Sequence, residues 1–458
     1  MQLVDDKQVK KAVLKANKQT VSEGVIESIK ENQTEAEAEA TRLRLKNRSK
    51  HYIRVGDNYF KIVYRPDKEG KLYKDYLKLN KGTIIDDHTH GIIKYINKYD
   101  DFCMVASHTD YKQVINGFYN EYSELSHKPK EGNCDTILSI IKHVFGEHYF
   151  EFAIDYLQLL YTTPYQRLPI LLLESQEKNT GKSTFANVVY KIFQDNAIKI
   201  GNNDLQSDFN SVWVKRLCII VDETSLEKKG ITQMLKRFST ETGKVTVNEK
   251  NKAQTEIDFF GKFLFISNEE GKALFIERDD PRWAVFKVPT FAEKGIKDDP
   301  LIDDKIDSEI PAFLHFLLHR TLKYKRESRM YFNPVVYQTA QLQLYYNNSI
   351  SKVAQYIKKL IVDTFDLFPK EESMKFGISD IMEELKSELR NIERERVRFA
   401  IEKELNKAPQ ARTHYTLFSR KIAESNPNYL PLKNSQNKVH YTFTKFEAET
   451  WKSTNDDF

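Results

Sequence analysis

LPILLLESQEKNTGKSTFANVVYKIF, Leu168–Phe193, is the stretch whose reading decides the fold. The uncharged apolar run Leu168–Leu173 predicts a buried strand, SQEKNT a polar loop, and FANVVYKIF an amphipathic helix. A buried strand that runs through a polar loop into a helix is the setting of a phosphate-binding loop. Backbone amides at the helix N-terminus face the phosphates, the helix dipole favours their charge, and a lysine reaches the β and γ oxygens. The loop ends in Gly181-Lys182-Ser183, which supplies the turn, the cation and a hydroxyl for Mg²⁺, with Asn179, Thr180 and Thr184 completing the cradle. One departure stands out. The first glycine of GxxxxGK[ST] falls on Gln176, and Asn179 stands where a further glycine is common. Asparagine enters the left-handed conformation more readily than most residues, so the loop can still close.

Downstream, LCIIVDE, Leu217–Glu223, reads as a second buried strand that delivers two carboxylates at its C-terminal end. Open α/β sheets bind ligands at that edge. Asp222 is the expected metal ligand, with Ser183, and Glu223 the residue that orients the attacking water. FLFISN, Phe263–Asn268, is a third buried strand, and Asn268 at its end can hydrogen-bond the γ-phosphate or the water. In ERDDPRWAVFKVP, Glu277–Pro289, Arg282 or Arg278 precedes a last strand over Ala284–Val288. Either suits an arginine finger to a neighbouring subunit's nucleotide, Arg282 being preferred, because arginine stays charged and offers a fork of donors. A surface ion pair is the plain alternative for both.

Around this block the texture varies. Thr34–Arg48 carries an acid-to-base gradient that suits an exposed helix. From His51 to Leu79 aromatic and β-branched residues alternate around Gly56-Asp57 and Asp67–Gly70, as in a hairpin or small sheet. Asn133–Tyr161 has helical spacing and predicts a helical pair, and Ser308–Leu322 a further amphipathic helix. Lys244–Val247 and Ile257–Phe260 flank the turn-prone Asn248–Asn251, a second hairpin signal. Gly377–Phe443 reads helix, helix, strand, helix, strand, the winged-helix order, with Leu417–Ser425 as the expected recognition helix. Asp86-Asp87-His88-Thr89-His90 is better explained as a polar turn between β-segments than as a metal site.

With 458 residues there is room for two to four domains, and 40% hydrophobic content suffices for their cores. No apolar run approaches the roughly 20 residues of a membrane span. The lysine-studded Met1–Thr20 is no secretory signal, so no membrane partner is expected. Cys103, Cys134 and Cys218 form no CxxC pair, which excludes a cysteine-rich zinc site and fits a reducing cytoplasm. A net charge of +5 permits a polyanion partner without requiring one.

Taken in this order, the motifs of Leu168–Pro289 resemble those of the superfamily-3 helicases, AAA+-type ATPases of viruses, phages and plasmids, and especially the ATPase part of phage and plasmid primase-helicases. The resemblance implies an α/β fold: an AAA+-like P-loop sheet with helices, flanked by a mixed α+β N-terminal region and a C-terminal winged-helix-like domain. The expected divisions are a helical or flexible extension (1–50), a small β-rich domain (51–130), a helical collar (131–165), the ATPase domain (166–290), a helical segment (291–350) and the winged-helix-like domain (351–458). It further implies ATP and Mg²⁺, a homo-oligomeric ring such as a hexamer, and single-stranded or forked DNA as partner. A hairpin tip, Glu249–Lys252, would present Lys250 and Lys252 to the DNA, with Lys236 matching the family's lysine on the preceding helix. No primase carboxylate set is evident, so a primase would act as a separate protein. A P-loop motor for packaging or remodelling, and a non-hydrolysing replication-initiation factor, are the rival readings.

Overall fold

The computed structural model describes residues 37–66, 70, 72–222, 229–240, 243–250, 254–277, 280–295, 299–348, 350–386, 388, 392–419 and 435–453. The chain divides into two units, Met1–Glu124 and Leu125–Phe458.

In the first unit the alternating aromatics form β1 (Tyr52–Val55), β2 (Asn58–Pro66) and β3 (Leu72–Leu79), joined by β4 (Asn97–Tyr99), in the order β3-β2-β1-β4. Gly56, at φ 55°, makes the β1–β2 turn. Strand alternation splits the side chains between two faces. Ile53, Val55, Phe60, Ile62 and Tyr76 pack on Tyr119 and Phe102, from a small sheet of β5 (Phe102–Cys103), β6 (Val114–Ile115) and β7 (Phe118–Asn120). Tyr52, Tyr59 and Leu79 pack on Leu45, Ile84, Ile92 and Ile96. Residues 37–49 are helical, as the composition predicts, but the helix is not wholly exposed, because Leu45 and Ser49 are buried. Asp86 and Asp87 end a short helix, Lys81–Asp87, and His90 starts a 3₁₀ helix, His90–Tyr95, rather than forming a turn between strands. Among the described residues no group of three candidate ligands is placed to hold a metal ion.

The second unit begins with α1 (Asp135–Thr162), which is interrupted at Gly146, φ 73° and ψ 167°. A residue without Cβ takes that conformation at little cost, and the expected helical pair results. Strand β8 (Ile170–Glu174), all of it buried, leads through the loop into α2 (Lys182–Phe193). Next come β9 (Ala197–Ile200), β10 (Cys218–Val221), α3 (Lys229–Thr240) and an antiparallel ribbon of β11 (Lys244–Val247) and β12 (Thr255–Asp258). The chain then returns as β13 (Lys262–Ser267) and β14 (Trp283–Lys287). Five of these strands form one sheet, β14-β8-β13-β10-β9, with every pairing parallel. A parallel sheet needs cover on both faces, which explains why Ile170–Leu173 of β8, all of β10 and Phe263–Ile266 of β13 are continuously apolar instead of alternating. Strand β9, AIKI, has no counterpart in the sequence reading; it is a four-residue edge strand with a lysine in it, too short and too polar to announce itself.

Helices α4 (Ile302–His319) and α5 (Ala340–Asn348) follow, and α4 packs on α1. The C-terminal part runs α6 (Lys352–Leu367), β15 (Ser373–Phe376), α7 (Ile378–Glu384), α8 (Arg394–Phe399), β16 (Gln410–Thr416), β17 (Ser435–Thr444) and α9 (Lys445–Ser453), with its own core around Phe376, Ile381, Ile401 and Phe443. Its three strands pair antiparallel in the order β15-β17-β16. Of the recognition helix expected over Leu417–Ser425, Leu417–Ser419 are not helical and follow directly on β16, and residues 420–425 lie outside the described residues.

Candidate nucleotide site

Two left-handed residues shape the loop after β8. Asn179 has φ 57° and Gly181 φ 83°, so the asparagine takes up the conformation for which a glycine would otherwise be needed. Gly181 is the N-cap of α2 and has no side chain to cap the first-turn amides, and that turn carries no acid. The amides and the positive end of the helix dipole therefore remain available to an anion. A Cβ on Gly181 would fall 3.2 Å from the Phe291 ring and 3.4 Å from that of His143. His143 Nε2 lies 3.0 Å from the Thr180 carbonyl oxygen, and its ring leans on Phe291 with centroids 5.1 Å apart. The loop is thus held from behind by α1, which sequence reasoning did not foresee.

Lys182 is buried, and its ammonium donates to the carbonyl oxygens of Ser175 (3.1 Å) and Glu177 (3.4 Å). Burial pulls its pKa below the usual lysine range, while the negative charges of Glu174, Asp222 and Glu270 oppose that shift. Ser183 is exposed, Thr184 half-buried and Thr180 buried. Asp222 follows β10 directly and Asn268 follows β13 directly, and both are exposed. Because β13 lies between β8 and β10, the loop, Asn268 and Asp222 stand side by side at the C-terminal edge of three adjacent strands. Glu223, Arg278 and Lys252 lie outside the described residues.

Glu174, the last residue of β8, was also missed. Its carboxylate is fully buried and accepts from Gly271 N (3.2 Å), Tyr345 Oη (2.5 Å) and Gln341 Nε2. Burial raises its pKa to about 7 against the pull of those donors. It ties the root of the loop to α5 and to the turn after β13. The visible signal was an acid closing an apolar run; its partners lie some 100 and 170 residues away, which local reading cannot supply.

Arg282 sits at the other end of the sheet. Its carbonyl accepts from Ile170 N (2.7 Å) at the start of β8, so about 16 Å of strand separates it from the loop. Its side chain is 30% exposed, and Asp280 Oδ1 accepts from its Nη1 at 2.9 Å. Lys236 is not offered to a ligand: it is buried, with its ammonium 2.6 Å from Glu277 and 3.1 Å from Asp280. The β11–β12 ribbon forms with Val247 opposite Thr255, its return strand Thr255–Asp258 starting two residues before the expected Ile257–Phe260. Val245 and Val247 anchor it in the core, Asn248 donates to Asn210 Oδ1 (2.8 Å) and to the Asp208 carbonyl (2.7 Å), and Lys250 is exposed beyond them. A cavity of about 310 Å³ lined by Arg167, Phe238, Asp258 and Lys262 opens at the N-terminal edge, away from the loop.

Three comparisons bear on this chain. A family model described as "Family of unknown function (DUF5906)" matches residues 173–282. No curated protein matches it by sequence. Among solved structures, the apo NrS-1 C-terminal region (305–718) is similar with a TM-score of 0.54 and 13% identity, over 86% of this chain and 97% of that one. Its A form gives a TM-score of 0.53 and 14% identity over the same shares. The chain therefore has the fold of the NrS-1 C-terminal region over most of its length.

Proposed function

We propose that this chain is an ATP-driven DNA helicase of the superfamily-3 kind, working as a ring on single-stranded or forked DNA. The observation that carries the reading is the meeting of the Lys182 loop, Asn268 and Asp222 at one edge of the parallel sheet, with Arg282 at the opposite edge. The donor set suits a nucleoside triphosphate and a hard cation: uncapped helix amides, a lysine, a hydroxyl and a carboxylate. Ser183 and Asp222 would hold Mg²⁺, which neutralises charge on the β and γ oxygens. Lys182, now on the Ser175 and Glu177 carbonyls, would exchange those partners for phosphate oxygens. Asn268 and Glu223 would place the water, and Arg282 would reach the site of the adjacent subunit.

On this reading Lys250 and Lys252 grip the DNA from the ribbon tip, while Lys236 organises the segment around Asp280 and Arg282 instead of touching DNA. The helices α7 and α8 with the antiparallel pair β16–β17 support a winged-helix reading of the C-terminal part, in which the segment between those two strands stays the candidate for the recognition helix.

The deciding test is ATPase rate with and without single-stranded DNA, read beside native mass. The expected result is a DNA-stimulated rate in an oligomer, reduced at least 100-fold by Lys182→Ala. An unchanged rate in Lys182→Ala would remove the nucleotide site. ATP binding without turnover would favour the initiation factor, and turnover indifferent to DNA the remodelling motor.

A further inference from the structure

The residues assigned to the nucleotide site belong to the unit Leu125–Phe458; the unit Met1–Glu124, taken by itself, gathers cations in one place. RLRLKNRSK, Arg42–Lys50, holds five of them, Arg42, Arg44, Lys46, Arg48 and Lys50, and no acid. Leu45 and Ser49 turn inward; Arg44 and Arg48, one helical turn apart, share one flank, and all five cations are exposed.

The Arg44–Arg48 flank meets groups from other elements. Arg48 Nη1 lies 3.3 Å from His88 Nδ1, and His88 Nε2 lies 3.0 Å from Tyr52 Oη. Lys61 of β2 stands opposite Tyr52 in the register and holds its ammonium 5.9 Å from the centre of that ring. The His88 pKa is lowered, first by burial and then by the charge of Arg48, with Lys61 and Arg44 adding to it and Asp87 opposing. These charges therefore act on one spot.

Among the described residues none of Arg42, Arg44, Lys46, Arg48, Lys50 and Lys61 forms an ion pair, whereas Arg54, Arg65 and Lys112 of the same unit pair with Asp57, Asp75 and Asp110. Among the described residues the ion-paired carboxylates of this unit thus neutralise cations off the ridge, and Asp87 opposes its charge at His88 without closing a pair. A chain of phosphates is the chemistry that relieves such a ridge, because each contact releases condensed counter-ions.

We propose that Arg44, Arg48 and Lys61 bind the phosphodiester backbone of a nucleic acid, giving this chain a second contact for the strand it works on. The proposal deepens the helicase reading and depends on it only for the presence of the polyanion.

The test uses the full chain, without nucleotide, and a labelled single-stranded oligonucleotide beside a duplex of equal length, with anisotropy measured against KCl. Each lost contact flattens the slope of log K against log salt by about 0.7 for a single strand and about 0.9 for a duplex. Arg44→Gln/Arg48→Gln/Lys61→Gln is expected to flatten it by about 2 if the ligand is the single strand, or by about 3 if it is the duplex, and to weaken low-salt binding at least 10-fold. Its melting midpoint should stay at the wild-type value, and Arg44→Lys/Arg48→Lys should retain the wild-type slope. Wild-type slope and affinity in the Gln variant, in both arms, overturn this inference and leave the helicase reading intact. A wild-type chain that binds neither oligonucleotide overturns both.

Discussion

Asn179 occupies a backbone region, φ 57°, that suits glycine best and asparagine next. Asn179→Gly should therefore keep the ATPase within about twofold. Asn179→Val, β-branched at positive φ, carries a strain of about 1–3 kcal/mol and should weaken ATP binding by roughly 10-fold or more, measurable by titration calorimetry. Glu174 leads to a pH prediction. Its folded pKa, about 7, lies above the 4.5 of a free glutamate, so the folded state binds the extra proton. Stability is then undiminished below pH 4.5 and falls as pH rises through 7. Melting midpoints of the wild type should show that decline between those limits, and those of Glu174→Gln should lack this component, whatever the absolute cost of placing an amide opposite three donors.

Among elements, β8 bears the greatest demand, since it has neighbours on both sides and carries the loop. Leu172 is fully buried in the main core, and Leu172→Ala should lower unfolding free energy by about 2–5 kcal/mol in urea titration. Burial on this scale is what made the sheet legible: uninterrupted apolar runs at Leu168–Leu173, Leu217–Val221 and Phe263–Ser267 mark central strands, and each leads straight into a site residue. Strand β9 escaped notice because an edge strand needs fewer apolar residues. In the C-terminal part the two helices and the closing strand expected within Gly377–Phe443 appear as α7, α8 and β17, while most of the expected Leu417–Ser425 helix lies outside the described residues. For the candidate site, the loop, Asp222 and Asn268 could be placed from local pattern. His143, Glu174 and the burial of Lys236 could not, because each depends on a partner from a distant segment.

At the scale of the whole molecule, the reading requires the Lys182 loop of one subunit to meet Arg282 of another. Mixing inactive Lys182→Ala with inactive Arg282→Ala should then restore some ATPase, because a share of the contacts pairs an intact loop with an intact arginine; no recovery at any ratio would exclude a shared site. The all-parallel sheet adds a constraint on assembly. Its two ends are chemically unlike, loop and acid at one and arginine at the other, so a shared site needs the loop end of one copy against the arginine end of another. A head-to-tail contact supplies that pairing and can be repeated. On the ring reading, such contacts repeated around an axis would give every copy the same sense, so the assembly would have a front and a back, and a polymer threaded through it would meet a directional machine.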